Sequence, residues 1–215
     1  MSHTIHTALL FVNGDFPQPE KILAQITPED ILIAVDGGLQ HLTQHNLIPD
    51  LIIGDLDSAD PDEVQRLKAQ GVEVRQYPVN KDETDLELAL NAAIERQPDL
   101  IWVVAALGAR IDQTLGNIFL LIQPELSSID VRLVDGLREI FLLRGSGIIE
   151  GSPGQRVSLL PLNGPAVNIR TEGLAYPLKG ETLYPDRTRG ISNRLTTPIA
   201  RVNFEAGLLL CIHEH

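Results

Sequence analysis

The sequence predicts an α/β fold: an N-terminal parallel-sheet, Rossmann-like unit followed by a small antiparallel β-sandwich. Two rhythms along the 215 residues predict it. Up to about residue 135, short apolar runs alternate with stretches of helical period, the pattern of stacked βα units. From about residue 137 the helical period disappears, and short β-like runs are separated by glycine, proline and asparagine at close intervals. A boundary between 1–136 and 137–215 follows.

In the first part the strands are "TALLFVNG", "DILIAVDGG", "LIIGD", "VEVRQYP" and "LIWVVAALG". The near-continuous apolar ones suit parallel strands covered on both faces. One helix begins at "TDLE", where Thr84 can cap and Glu87 closes a capping box, with Leu86, Ala89, Leu90, Ala93 and Ile94 as its apolar stripe. Another begins at Asp60, with Pro61 in the first helical position and Glu63 three residues after the cap. A third carries Leu115, Ile118, Phe119 and Ile122 on one face. In the second part "EIFLLRG", "QRVSLLPLNG", "AVNIRTEG", "GISNRL", "IARVNF" and "GLLLCI" are the strand candidates. About 70 residues make a marginal core alone, so this part is expected to pack on the first, on a second subunit, or on both.

Composition narrows the function classes. Hydrophobic residues make up 43% and charged residues 21%, ordinary for a globular chain, and no apolar run reaches membrane-span length. The start "MSHTIHTALL" lacks a secretion signal and the single cysteine is Cys211, so a reducing, cytoplasmic setting without disulfides is expected. A net charge of -12 disfavours a nucleic-acid partner and favours small cations.

The chemistry lies in the acids. In an open parallel sheet, ligands bind beyond the carboxyl ends of the strands. Asp36, Asp55, Asp57, Asp82, Asp85 and Asp112 all follow apolar strands, with Gly37, Gly38, Gly54 and Gly108 beside them. Neighbouring strands lie roughly 4.8 Å apart, so such carboxylates can converge. A hard divalent cation, Mg²⁺ above all, takes oxygen ligands and shares them with phosphates. Lys81 and Arg110 supply cations at the same rim. Asp60 reads as a helix cap instead. His41 and His45 in "HLTQH" lack the glutamate of a zinc hydrolase and read as a solvated helix face. "GSGIIEG" is not a dinucleotide loop, there is no P-loop, and Trp102 reads as core.

"DGG" at 36–38, "GDLDS" at 54–58, "KDETDLELAL" at 81–90, "GARID" at 108–112, "GLAYPL" and "GISN" resemble, in order and spacing, the thiamine pyrophosphokinases. The resemblance implies transfer of a pyrophosphoryl group from ATP to the hydroxyl of thiamine, with Mg²⁺, giving thiamine diphosphate and AMP. It implies an ATP- and Mg²⁺-binding catalytic domain, then a β-sandwich for thiamine binding and dimerisation. The enzyme would be a homodimer with thiamine sites at the subunit interface.

Carried over by residue, Asp55, Asp57, Asp82 and Asp85 would hold Mg²⁺ and phosphates, and Asp112 would join them as a catalytic residue that completes the electrostatics of the pocket. Asp36, Gly37, Lys81, Thr84, Arg110 and Gln113 would contact the nucleotide; Ser192 and Asn193 would hydrogen-bond the aminopyrimidine. The chain departs from the common "RxDH" pattern by carrying Gln113 where a histidine usually stands, so no ionisable group is expected there.

Three other readings stay open on the residues. "LIIGDLDS" could serve an aspartyl-nucleophile phosphotransferase, although Ala59 stands where that class places Thr or Val. A pyrophosphokinase could act on another hydroxymethyl acceptor such as a pterin. A non-catalytic thiamine or nucleotide sensor is the third.

Overall fold

A computed structural model describes residues 6–108 and 110–215. The first five residues, part of the stretch inspected for a secretion signal, and Ala109 of "GARID" lie outside the described residues. The chain divides into two compact units, residues 1–136 and 137–215.

Among its described residues the first unit holds six parallel strands: β1 (Thr7–Phe11), β2 (Ile31–Val35), β3 (Leu51–Gly54), β4 (Glu73–Gln76), β5 (Leu100–Val104) and β6 (Asp130–Val134). Their order is β4-β3-β2-β1-β5-β6, so the winding reverses between β1 and β5. That reversal opens a crevice at the carboxyl ends of the strands, where sheets of this kind bind ligands.

Helices α1 (Pro19–Leu23), α2 (Leu39–Gln44), α3 (Pro61–Ala69), α4 (Asp85–Ile94) and α5 (Ile111–Leu120) connect the strands. Ile22, Leu39, Leu42, Val64 and Leu67 from the first three pack on Leu9, Phe11, Leu32, Ala34 and Ile52 of the sheet. The alternate strand residues Leu10, Ile33 and Ile53 are fully buried and face the other way, where α4 crosses β1, β2 and β3. Both faces are therefore covered, which is why the strands read as unbroken apolar runs. Edge strand β4 is the exception: none of its four residues is buried.

Asp60 caps α3 by accepting the N–H of Asp62 at 3.0 Å, with Pro61 in the first turn. Thr84 caps α4 by accepting the N–H of Glu87 at 3.2 Å. The apolar stripe of α5 behaves differently from those of the other helices. Ile111, Leu115 and Phe119 are 73%, 48% and 54% exposed, so this face meets solvent in the single chain.

The second unit is antiparallel: β7 (Arg138–Leu143), β8 (Ser146–Glu150), β9 (Arg156–Glu172), β10 (Lys179–Leu183), β11 (Asn193–Arg194), β12 (Ile199–Asn203) and β13 (Ala206–Glu214). The two runs "QRVSLLPLNG" and "AVNIRTEG" prove to be one bent strand. The first part of β9 pairs with β13 in one sheet; the second pairs with β10 and β12 in the other. Between them Asn163 and Gly164 take positive φ of 61° and 131° opposite an irregularity in β13, which turns the strand through the corner. A single core closes the sandwich, with Phe141, Leu159, Ile169, Val202 and Leu209 among its members. "GISNRL" contributes only Asn193–Arg194 as strand, because Gly190 and Ser192 adopt left-handed backbone. Among the described residues no helix is long and apolar enough to cross a membrane.

Candidate active site

The carboxyl ends of β2 and β3 carry the candidate site. At the end of β2 the chain enters a short 3-10 turn, Asp36–Gly38, that runs into α2. At the end of β3 it leaves through Gly54 into the loop that precedes α3. Asp36 (φ 47°) and Leu56 (φ 64°) are non-glycine residues in left-handed backbone, a conformation maintained only where the surroundings over-determine it. Gly54 lies between them in the structure, with φ 145°, and a Cβ there would stand 3.1 Å from Cβ of Asp36. Gly54→Ala is therefore expected to cost about 1–3 kcal/mol and to push Asp36 out of line, measured as a lower Tm together with reduced activity.

These turns bring carboxylate oxygens of Asp36, Asp55 and Asp57 within 4.8 Å of one another. Each such pair repels by between about 1 and 3.5 kcal/mol, depending on whether water or a protein-like dielectric of ~20 separates them. Backbone and hydroxyl donors offset part of this. The N–H of Asp57 donates to Asp55 Oδ1 at 3.2 Å, the N–H of Ser58 to Asp36 Oδ1 at 3.4 Å, and Ser58 Oγ to Asp57 Oδ1 at 2.9 Å.

Lys81 links the cluster to α4. Its Nζ lies 2.9 Å from Asp85 Oδ1 and 3.7 Å from Asp55 Oδ2, with side-chain exposures of 11% for Lys81 and 13% for Asp55. Burial pulls the ammonium's pKa down, but hydrogen bonding and charge from Asp85, then Asp55, more than offset it and hold the group above its ordinary value. Four carboxylates against one ammonium leave a local charge of -3. That excess, presented by hard oxygen donors at a strand-end crevice, fits a Mg²⁺ ion with anionic phosphates beyond it.

The remaining site expectations are placed as follows. Asp36 joins the converging carboxylates, whereas Asp85 reaches them through Lys81. Asp82 and Thr84 are exposed, and Thr84 is engaged as the cap of α4. Gly37 is buried in the turn after Asp36. Arg110 and Asp112 form an exposed pair at 2.7 Å at the start of α5, with Gln113 exposed beside them. The Arg110 hydrogen bond first, and then the N–H of Gln113, hold the Asp112 carboxyl below the usual range. Asp112 is thus an ionised acceptor rather than a proton donor near neutral pH. Ser192 is exposed in left-handed backbone. Asn193 is 7% exposed and committed to the chain: its Oδ1 accepts the N–H of Tyr176 at 3.0 Å, and its Nδ2 donates to the Tyr176 carbonyl at 2.8 Å.

Several neighbours were not singled out by sequence. Ser58 braces two of the three carboxylates, and Gln76 Nε2 donates to the Asp55 carbonyl at 3.3 Å. At the winding reversal, Gly14 and Asp15 after β1 donate backbone N–H groups to the exit of β5, at Ala105 and Leu107, both at 2.8 Å. Asp15 follows an apolar strand just as the others do, so the same signal could have found it. Asn193 holds the backbone of Tyr176, a residue 72% exposed, beside the Ser192 turn. His41 is not the solvated residue its spacing suggested. It is half-buried, its Nε2 lies 3.2 Å from the Gly14 carbonyl, and its ring meets Phe16 edge-on. Burial first, opposed by that hydrogen bond, keeps its pKa below the ordinary value.

A doubly covered parallel sheet, reversing at β1 and β5 with acids at its strand ends, defines a nucleotide-type α/β enzyme fold with an appended β-sandwich. The family model "Thiamin pyrophosphokinase, catalytic domain" matches residues 24–133, and "Thiamin pyrophosphokinase, vitamin B1 binding domain" matches residues 148–209. The chain belongs to the thiamine pyrophosphokinase family. It is 32% identical over 202 residues to the thiamine pyrophosphokinase of Bacillus subtilis, covering 91% of this chain and 94% of that protein. The solved Bacillus subtilis thiamine pyrophosphokinase superposes with a TM-score of 0.85 at 29% identity, over 97% of this chain and 98% of that one. A thiamin pyrophosphokinase family protein from Enterococcus faecalis gives a TM-score of 0.81 at 26% identity, over 99% of each chain.

Proposed function

We propose that the protein transfers a pyrophosphoryl group from ATP to the hydroxyl of thiamine, releasing AMP and thiamine diphosphate. The observation that carries this reading is the convergence of Asp36, Asp55 and Asp57, with Lys81 and Asp85 behind them, in a chain of this family. Asp36, Asp55 and Asp57 would hold Mg²⁺, which when bound neutralises phosphate charge. Lys81, whose ammonium stays charged at neutral pH, would meet phosphate oxygens there. The substrate hydroxyl attacks the β-phosphorus, the new P–O bond forms as the bond to the α-phosphate oxygen breaks, and a carboxylate of the cluster accepts the hydroxyl proton. Asp82, Thr84, Arg110, Asp112 and Gln113, all exposed, would serve the outer phosphates and the nucleoside.

On the sandwich, Ser192 would hydrogen-bond the aminopyrimidine, and Tyr176 offers a flat aromatic face beside it. Asn193 would act by positioning both, since its amide is occupied by the Tyr176 backbone. The exposed Ile111, Leu115 and Phe119 stripe of α5 supports a homodimer in which a second subunit completes the thiamine site.

Incubation of the purified protein with ATP, Mg²⁺ and thiamine tests the reading. Equimolar AMP and thiamine diphosphate are expected, with no AMP when thiamine is replaced by a hydroxymethyl pterin. Thiamine-independent release of ADP or phosphate, or transfer to the pterin alone, would refute it.

A further inference from the structure

β9 carries a polar residue inside the apolar run that begins at Val157. Val157 and Leu159 belong to the sandwich core, so by alternation Ser158 points to the other face of the sheet, where it is half-buried. The segment after Gly190 meets β9 antiparallel, with Asn193 opposite Val157 and Arg194 opposite Arg156. One step further the ladder is interrupted. It is taken up again where the N–H of Leu159 donates to the Gly190 carbonyl at 2.9 Å. Between these two points Ile191 and Ser192 stand against the single residue Ser158. That count, with Gly190 at φ 101° and Ser192 at φ 57°, is that of a β-bulge. A bulge bends its strand and re-aims the side chains on it, and here it leaves Ile191 48% exposed and Ser192 exposed.

Two contacts with β9 hold the bulge. Gly190 is pressed against the strand: a Cβ there would stand 2.4 Å from the Leu159 carbonyl oxygen, so the close approach requires glycine. Ser158 supplies the second contact. Its Oγ accepts the N–H of Ser192 at 3.0 Å, the donor that the interrupted ladder leaves over. Left-handed backbone at a serine costs about as much as one such bond contributes, so the bond decides whether Ser192 keeps that conformation. Among the described residues the Ser158 hydroxyl has no other hydrogen-bond partner, so removing its oxygen deletes this contact and no second one.

We propose that Ser158 is a positioning residue for the thiamine site: its hydroxyl oxygen holds the Ser192 bulge in the form that meets the aminopyrimidine. The inference rests on the proposed function, which puts thiamine at Ser192. Ser158 lies in the second unit and the aspartate cluster in the first, so its loss acts on thiamine binding and spares the ATP side.

The test compares wild type, Ser158→Ala and Ser158→Thr as full chains with saturating Mg²⁺. Ser158→Ala should raise the KM for thiamine about three- to tenfold, the effect of one neutral hydrogen bond, and leave kcat, the KM for ATP and Tm nearly unchanged. Ser158→Thr keeps the oxygen and suits a strand, so it should restore most of the loss. Hydrogen exchange at the Ser192 amide reads the bond without substrate: it should be slow in the wild type and at least about fivefold faster in Ser158→Ala. An unchanged KM for thiamine in Ser158→Ala overturns the inference. So does a parallel rise in both KM values with a fall of several degrees in Tm, a loss that Ser158→Thr does not restore, or exchange at Ser192 that Ser158→Ala leaves unaltered. A wild-type chain that protects the Ser192 amide but transfers nothing to thiamine refutes the thiamine reading itself, and with it this role of Ser158.

Discussion

Asp57→Asn is expected to lower kcat by roughly 10²–10³-fold or more while the protein becomes slightly more stable in the absence of metal. The loss follows from removing one of three converging anionic oxygen donors where the proposed function puts the transferring phosphates, an electrostatic contribution of the kind that is commonly among the largest in a site. The gain follows from the same geometry, because the wild-type chain holds three carboxylates within 4.8 Å against their repulsion. Asp57 is exposed, so the relief belongs at the low end, about 1 kcal/mol, or some 2–4 °C in Tm for a chain of this size. Asparagine keeps an oxygen to accept from Ser58 Oγ, so the loop is preserved. Thermal melts with and without Mg²⁺, alongside the AMP assay, check both halves. A variant that loses activity together with several degrees of Tm would assign Asp57 to structure.

Lys81→Met tests the opposite sign of charge. It removes the ammonium that Asp85 and Asp55 share and leaves those carboxylates, largely shielded from water, with no cation between them. A loss of about 1–3 kcal/mol in stability is expected, together with a fall in kcat of about 10²-fold or more. The pH dependence has a definite sign. The folded-state pKa of Lys81 is raised above its unfolded value, so its contribution is fully present below the unfolded value of about 10.4 and is lost as pH climbs through the folded one. The stability difference between wild type and Lys81→Met should therefore be flat from about pH 6 to 9 and shrink only in strong alkali. Denaturant unfolding across that range measures it; a difference that already collapses near pH 8 would contradict the assigned ion pair.

Much of this was legible in the sequence because two of its signals are local. Apolar runs such as Leu51–Ile53, ended by glycine and aspartate, locate both a buried strand and the end at which the candidate site lies. Asp60 followed by Pro61 locates a helix cap. What was not legible depends on backbone conformation and on pairing between distant segments. Asp36, not Asp82, meets Asp55 and Asp57 because left-handed turns at Asp36 and Leu56 and the glycine at 54 fold the two strand exits toward each other. No spacing along the chain encodes that.

The period of α5 announces an apolar face but not what covers it, and Ile111, Leu115 and Phe119 lie open to solvent. On the residues alone Asn193 reads as a turn residue, and only the resemblance of "GISN" makes it a ligand-binding amide. Only its bonds to Tyr176 show that it is spent on the chain. Continuity of β9 through Asn163 and Gly164 was hidden because turn residues usually end a strand, whereas here β10, β12 and β13 hold both halves in the ladder.

The most direct measurement is anomalous diffraction from crystals grown with Mn²⁺ in place of Mg²⁺ and a non-hydrolysable ATP analogue. The account predicts a manganese peak bound by carboxylates among Asp36, Asp55 and Asp57, with phosphate oxygens on its far side and Lys81 Nζ within hydrogen-bond reach of them. A peak held instead by Asp82 and Asp112, or a nucleotide whose phosphates lie away from the ends of β2 and β3, would contradict it.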